Sequence, residues 1–158
     1  YVYSEIVYNL KMTDWQAAIG VAQIDKLPHF CTRRKENFRK WTEIFSNYAE
    51  YFVLPQKTEW SDPAWFAFII TLKDDAPFSR DELTLHLNSK LIETRNLFGG
   101  NLTKQPGFID KIWKVAEHLR NTDRIVDKTF FLGTYPGLTD EMFSYAQHVL
   151  SDFLKNYK

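Results

Sequence analysis

The chain predicts an α+β fold, a small sheet packed against helices, and three features of the sequence carry that prediction. Two helical stretches open it, a strand-helix-strand pattern occupies the middle, and a helix-strand-helix pattern closes it. Its 158 residues give room for one domain with its own core. A hydrophobic fraction of 44% and a charged fraction of 25% are those of an ordinary globular domain.

Thr13-Asp14-Trp15-Gln16 reads as a capping box, with Thr13 accepting from the backbone near Gln16 and the Gln side chain reaching back. Trp15, Ala18, Ile19 and Ala22 then share one helical face. Ala17, Ala18, Gly20 and Ala22 are small, so this helix can lie close to a neighbour. Pro28 removes a backbone donor and ends it near Lys26. A longer helix is predicted from about His29 to Glu50, its apolar stripe made by Phe30, Phe38, Trp41, Ile44, Phe45 and Tyr48. Val53 to Pro63, bracketed by prolines, reads as irregular.

Trp65 to Leu72 is almost continuously apolar, which suits a strand covered on both faces. Lys73 to Pro77 is a turn. Ser79-Arg80-Asp81-Glu82 is a second capping box, with Phe78 and Leu83 as its hydrophobic staple, opening a helix to about Ser89. Ile92 to Phe98 alternates like a strand and stops at Gly99-Gly100. Ile109 to Leu119 is read as a helix, and Asn121 as the cap of a short one to Val126. Thr129 to Gly133 is a third strand, Tyr135-Pro136-Gly137 a turn, and Thr139 the cap of a last helix presenting Phe143, Ala146, Leu150 and Phe153.

Twenty basic residues balance twenty acidic ones. A nucleic-acid partner is therefore not expected, since phosphate neutralisation needs a basic excess or a basic face. The cluster Arg33-Arg34-Lys35 is read as a solvated helix face. The single cysteine, Cys31, excludes an internal disulfide, a Cys-based zinc site and an iron–sulfur site within this chain. No apolar run approaches the roughly 18 residues of a membrane span, and no signal peptide is visible, so a cytoplasmic location is expected. His29, His86, His118 and His148 share no metal or nucleophile spacing. No catalytic and no metal-ligating residue is assigned in this chain. The aromatic fraction is high at 16%, and some of these rings are expected to belong against another domain or subunit.

The segment Tyr8-Asn9-Leu10-Lys11-Met12-Thr13-Asp14-Trp15-Gln16-Ala17-Ala18 resembles the Y-N-x-[KR]-[ML]-[TS]-[DE]-x-Q-A-A signature of the pyridoxal-phosphate-dependent sugar aminotransferase family. Ala64 to Phe68, Asn121 to Ile125 and Tyr135 to Thr139 recur in the same order there. The block Thr94-Arg95-Asn96-Leu97-Phe98-Gly99-Gly100-Asn101-Leu102-Thr103-Lys104-Gln105-Pro106 is similar to the R-x-L-F-[GA]-G-N-L-[TS]-[RK]-Q-P string of its 3-dehydratase branch. Those enzymes remove the 3-hydroxyl from a CDP- or GDP-linked 4-keto-6-deoxyhexose in making 3,6-dideoxysugars for lipopolysaccharide O-antigen.

The resemblance implies the small C-terminal domain of an aspartate-aminotransferase-like (fold type I) enzyme, with a small antiparallel sheet packed against helices. Residues 1–50 would be the helical connection from a large domain outside this sequence, and 51–158 the small domain. It implies a homodimer with active sites at the subunit interface, where Asn9, flanked by Tyr8 and Lys11, would contact the cofactor phosphate. An amide and an ammonium just before a helix N-terminus suit a phosphate dianion. Arg95, Phe98 and Asn101 are the candidate contacts for the nucleotide-linked sugar, with Arg95 facing the alternative of pairing with Glu93. Arg124 is read as a structural helix residue.

In that branch the sugar 4-ketone condenses with pyridoxamine phosphate, a histidine standing at the usual lysine position removes a proton, and the C3 hydroxyl leaves. One sub-branch adds an iron–sulfur cluster and a reductase partner. The base, the carboxylate partner of the pyridine nitrogen and the cluster cysteines all lie upstream in the family. The 158-residue chain alone is therefore expected to be inactive and to bind no cofactor tightly. A nucleotide-sugar aminotransferase and a non-catalytic binding module are the two alternatives.

Overall fold

The computed structural model describes residues 12–108, 114–115 and 117–157. Helix α1 (Asp14–Ile24) starts at the expected capping box, with the Thr13 side chain accepting from the Gln16 amide and Gln16 reaching back to the Thr13 backbone. It ends two residues before the expected point. Pro28 lies in the first turn of α2 (Leu27–Ser46), where its missing N–H has no partner to lose. No residue of α1 is buried, and Trp15, Ile19, Val21 and Ile24 stand in solvent.

A four-stranded antiparallel sheet follows in the order β1-β2-β4-β3: Phe52–Val53, Ala67–Leu72, Thr129–Gly133 and Arg95–Asn96. Phe68 lies opposite Leu132 and Ile70 opposite Phe130, so one pleat face carries Phe68, Ile70, Leu72, Phe130 and Leu132. That face packs on α2, α3 (Arg80–Ser89) and α5 (Asp140–Leu154) through Phe45, Leu83, Leu87, Phe143 and Leu150. Edge-to-face rings run through this core, with Phe45–Phe52 at 5.2 Å and Phe78–Phe153 at 5.2 Å between centroids.

The opposite sheet face corrects the expectation of a strand buried on both sides. Ile69 is exposed and Thr71 half-buried, because among the described residues only the short helix α4 (Arg120–Lys128) packs toward that face. Thr71 and Thr129 share a 2.8 Å hydrogen bond there. Other boundaries differ from the sequence reading too: α2 runs from Leu27 to Ser46 rather than from His29 to Glu50, and β2 begins at Ala67 rather than Trp65. The expected strand Ile92–Phe98 contracts to Arg95–Asn96, because Leu91 at φ 60° and Phe98 at φ 53° break the extended backbone on both sides. The region read as irregular opens with a strand residue, Val53, paired to Thr71. Asn121 is not a cap: α4 starts one residue earlier, at Arg120, with Leu119 in the cap position and no side-chain bond. Of the helix expected over Ile109 to Leu119, residues 109–113 and 116 lie outside the described residues, and the others are not helical. Thr139 caps α5 as expected, accepting from Met142 N at 3.3 Å.

The basic cluster also differs from its reading as a solvated face. Arg33, Arg34 and Lys35 are half-buried. Arg33 pairs with Glu36 at 2.6 Å and donates to the Leu138 carbonyl at 3.0 Å. Arg34 donates to the Trp65 carbonyl at 3.1 Å, and Lys35 binds Asp62 at 2.5 Å. The loops entering β2 and leaving β4 end in carbonyls without ladder partners, and α2 supplies the donors.

Candidate substrate-binding site

The β3–β4 edge gathers the sequence-predicted contacts. Arg95 lies directly opposite Phe131, so both side chains leave the same sheet face. Arg95 is mostly exposed, and its Nε and Nη2 donate to Glu93 Oε1 at 2.9 and 2.7 Å. The pairing with Glu93 weighed from the sequence is therefore present. Phe98 is held outward by its left-handed backbone, 78% exposed, with its ring centroid 6.2 Å from Phe131. Phe66 also approaches Phe131, at 6.0 Å between centroids, so one covered ring meets two exposed ones.

Asn101 behaves differently from a surface contact. It is buried, its Nδ2 donates to Asp123 Oδ1 at 2.8 Å, and its Oδ1 accepts from Thr103 N and Oγ1 at 3.1 and 2.7 Å. It caps the short 3-10 turn Leu102–Lys104 and ties the Gly99–Gln105 loop to α4. Lys104 completes the knot at 2.8 Å from Asp123, and its hydrogen bond, then that of Asn101, holds the Asp123 carboxyl below its usual range. Arg124 pairs with Asp74 at 3.3 Å, in keeping with a structural role. Tyr8, Asn9 and Lys11 lie outside the described residues.

Beside Arg95 a groove of about 420 Å³ opens between the sheet edge and α5. Trp41, Leu132 and Ala146 line its apolar part, and Tyr135 and Tyr145 stand at its sides. The sequence reading missed this groove because its walls come from four separate elements. One local signal was available: Tyr135 sits between two glycines. The edges of its ring rest on them, so that a Cβ at Gly133 would come 3.3 Å and at Gly137 3.0 Å from ring carbons. The backbone beneath is fixed from α2, where Trp41 Nε1 donates to the Gly133 carbonyl at 2.9 Å and buried Asn37 donates to the Tyr135 carbonyl at 2.7 Å. Tyr145 Oη donates to the Lys90 carbonyl at 3.1 Å, bracing the turn that presents Leu91.

A four-stranded antiparallel sheet with α2, α3 and α5 on one face and α4 on the other is the architecture of the small domain of aspartate-aminotransferase-like enzymes. The chain belongs to the DegT/DnrJ/EryC1/StrS aminotransferase family, whose model matches residues 1–151. It is 44% identical over 153 residues to the lipopolysaccharide biosynthesis protein RfbH of Salmonella typhimurium, covering 97% of this chain and 35% of that protein. It is 42% identical over 154 residues to the dTDP-4-dehydro-2,6-dideoxy-D-glucose 3-dehydratase of Saccharopolyspora spinosa, covering 98% and 33%. Among solved structures, Escherichia coli GDP-4-keto-6-deoxy-D-mannose-3-dehydratase with bound hydrated PLP superposes with a TM-score of 0.80 at 27% identity, covering 90% of this chain and 36% of that one. The chain thus spans about a third of the length of the curated relatives it matches.

Proposed function

We propose that this chain is the small domain of a pyridoxamine-phosphate-dependent 3-dehydratase acting on a nucleoside-diphosphate-linked 4-keto-6-deoxyhexose. The observation that carries the reading is similarity along nearly the whole chain to a relative named as a 3-dehydratase, with the Arg95-to-Pro106 block set as one ordered unit at the sheet edge. The sequence motifs point to CDP or GDP, and a relative named for a dTDP-linked sugar widens the nucleotide class. The cofactor, when bound, supplies the electron sink that lets a hydroxyl leave from the carbon beside the ketone.

The donor set of this chain fits such a group. Asn9 offers an amide and Lys11 an ammonium to a phosphate dianion, and both precede the N-terminus of α1 in sequence. Arg95 offers guanidinium donors to a diphosphate, and Phe98 an apolar wall to the sugar. Asn101 serves by holding the loop that follows Phe98. The exposed apolar residues of α1 support burial of that helix against the remaining chain or a second subunit. The homodimer belongs to this reading, as does a reductase partner if the product goes on to a 3,6-dideoxysugar.

The test is product analysis with the polypeptide that joins this chain to the rest of its relatives' length. With pyridoxamine phosphate and a nucleotide-linked 4-keto-6-deoxyhexose, a product lighter by one water is expected. An amino sugar formed from glutamate, together with a covalent cofactor adduct after borohydride reduction, would instead establish the aminotransferase.

A further inference from the structure

We infer that Asp123 is a positioning residue of the substrate site: its carboxylate, acting through Asn101, holds the loop after β3 so that Phe98 is presented to the nucleotide-linked sugar. The inference rests on the proposed function for the kind of molecule bound, and it adds a residue of α4 that acts through another side chain.

Core packing does little to hold this loop. Phe98 leaves β3 with φ 53° and a ring in solvent, and Leu102 is 55% exposed. Phe98 N donates to the Asn96 carbonyl at 2.8 Å and Gln105 Nε2 to the Gly99 carbonyl at 2.7 Å, both bonds local. Asn101 is the single buried residue between Leu97 and Phe108. Its Oδ1 faces inward, to Thr103 N and Oγ1, while its Nδ2 reaches 22 residues along the chain to Asp123 Oδ1 at 2.8 Å. Among the described residues, the side-chain bonds that tie Phe98–Gln105 to another element end on Asp123, from Asn101 and from Lys104. The Lys104 side chain is 67% exposed, and an ion pair so placed contributes little. The buried amide, donating to an ionised acceptor, is the stronger tie.

Asp123 is itself fixed. Its backbone N–H donates to the Leu119 carbonyl at 2.9 Å in the first turn of α4, and further along that helix Arg124 and Lys128 pair with Asp74 at 3.3 and 2.8 Å. Hydrogen bonds from Lys104 and then Asn101 hold its carboxyl below the usual range, so it is ionised at neutral pH. Gly100 rests directly on the same helix, where a Cβ would come 2.6 Å from Val126 Cγ2, so the loop cannot settle closer. The consequence is kinetic. No base is assigned in this chain, and Phe98 offers an apolar wall that serves ground state and transition state alike. Losing such a contact raises KM and spares kcat.

The experiment is steady-state kinetics of the full enzyme that carries this chain, with CDP-, GDP- and dTDP-linked 4-keto-6-deoxyhexoses, following both loss of water and formation of an amino sugar. Hydrogen exchange of residues 97–105 accompanies it. Asp123→Ala is expected to raise KM about 10-fold, keep kcat within about 2-fold and speed exchange in the loop. Asp123→Asn keeps an acceptor for Asn101 and brings KM back to within about 3-fold of the parent. Adding Asn101→Ala to Asp123→Ala raises KM no further, because the two side chains act as one unit. Asp74→Ala, which cuts the other tie of α4, lowers the melting temperature and leaves KM unchanged, as loss of a merely stabilising carboxylate does. If Asp123→Ala does not fold, Gly100→Ala lifts the same loop from α4 and carries the comparison, with the same rise in KM. An unchanged KM, a fall confined to kcat, or an Asp123→Asn variant as impaired as the Ala variant overturns the inference. The two proposals fail separately. Formation of an amino sugar with a KM that depends on Asp123 keeps the positioning role and removes the dehydratase. Dehydration with a KM indifferent to Asp123 does the reverse, and an enzyme that turns over none of the three sugars removes both.

Discussion

Asn37 Nδ2 donates to the Tyr135 carbonyl at 2.7 Å across 98 residues of sequence, from a side chain with no solvent exposure. The contact fixes the loop that leaves β4 to the helix that precedes the whole sheet. Its second, longer bond to the Thr134 carbonyl is at 3.4 Å, while Thr134 Oγ1 itself donates to the Trp65 carbonyl at 2.6 Å. Four carbonyls around the ends of β2 and β4 thus accept from three buried residues, Asn37, Thr134 and Trp41.

Removing that donor leaves buried carbonyls unmatched. Asn37→Ala is expected to destabilise the chain by about 1–3 kcal/mol, the cost of unsatisfied buried polar groups. At this size the melting temperature falls by roughly 2–4 °C per kcal/mol. Asn37→Asp is expected to be worse, since it sets a carboxylate against two carbonyls. Thermal denaturation followed by circular dichroism orders the three proteins; an Asp variant more stable than the Ala variant would contradict this account.

Two nearby phenylalanines, one before β2 and one within it, test how far burial sets the stability of the sheet. Phe68 has no exposed surface and touches Phe38 and Phe45, whereas Phe66, just before the strand, is 68% exposed. Phe68→Ala should cost about 3–5 kcal/mol through lost burial and a cavity. Phe66→Ala should change stability by less than about 0.5 kcal/mol, as exposed sites do. Urea midpoints at constant slope measure both.

Acid should loosen the molecule through its paired carboxylates. Asp62, Asp74, Asp123 and Asp140 are all held below the ordinary value of 3.8, chiefly by hydrogen bonds from Lys35, Lys128, Lys104 and Lys40 respectively. A carboxyl whose folded pKa is lowered favours the folded state at every pH above its unfolded value. That contribution declines below 3.8 and is gone once the pH has passed the folded pKa. Melting temperature should therefore be flat near neutrality and fall below about pH 4. High salt should reduce the fall, because these are surface pairs. Asp123→Asn should flatten part of the pH dependence, and a carbon-detected NMR titration should place the Asp123 midpoint below 3.8.

The parts of the fold legible in the sequence are those whose signal is local. The Thr13, Ser79 and Thr139 caps lie within four residues of the groups they bind, and all three form. The strand Thr129–Gly133 stands as read because its apolar run is short and bounded. What could not be read depends on distant partners. Arg33 and Arg34 look like a solvated face until the Leu138, Trp65 and Phe66 carbonyls arrive beside them. Arg95 and Phe98 were legible as candidates from a motif, but the groove next to them needs Trp41, Tyr135 and Tyr145 brought together by tertiary packing. Asn101 shows the opposite case: the motif drew attention to it, while its atoms are engaged in holding the loop.

That loop supplies a last test. Gly100 has φ +64°, a conformation that costs an L residue strain, and a Cβ there would come 2.6 Å from Val126 Cγ2. Two separate penalties follow from one methyl group, one in the backbone and one against α4. Gly100→Ala is expected to destabilise by about 1–3 kcal/mol, combining the left-handed backbone term with overpacking. Val126→Ala removes the steric part but not the backbone part, and Val126 is 37% exposed, so its own loss is small. The double variant should therefore recover a fraction of the Gly100→Ala loss, and a double-mutant cycle should show a coupling of about 0.5 kcal/mol or more. Full recovery would mean that the backbone strain is absent; no recovery would mean that the loop moves away from α4 at no cost. Because Asn101 and Lys104 hold the same loop onto Asp123, the Gly100→Ala substitution should also raise the Asp123 midpoint towards 3.8.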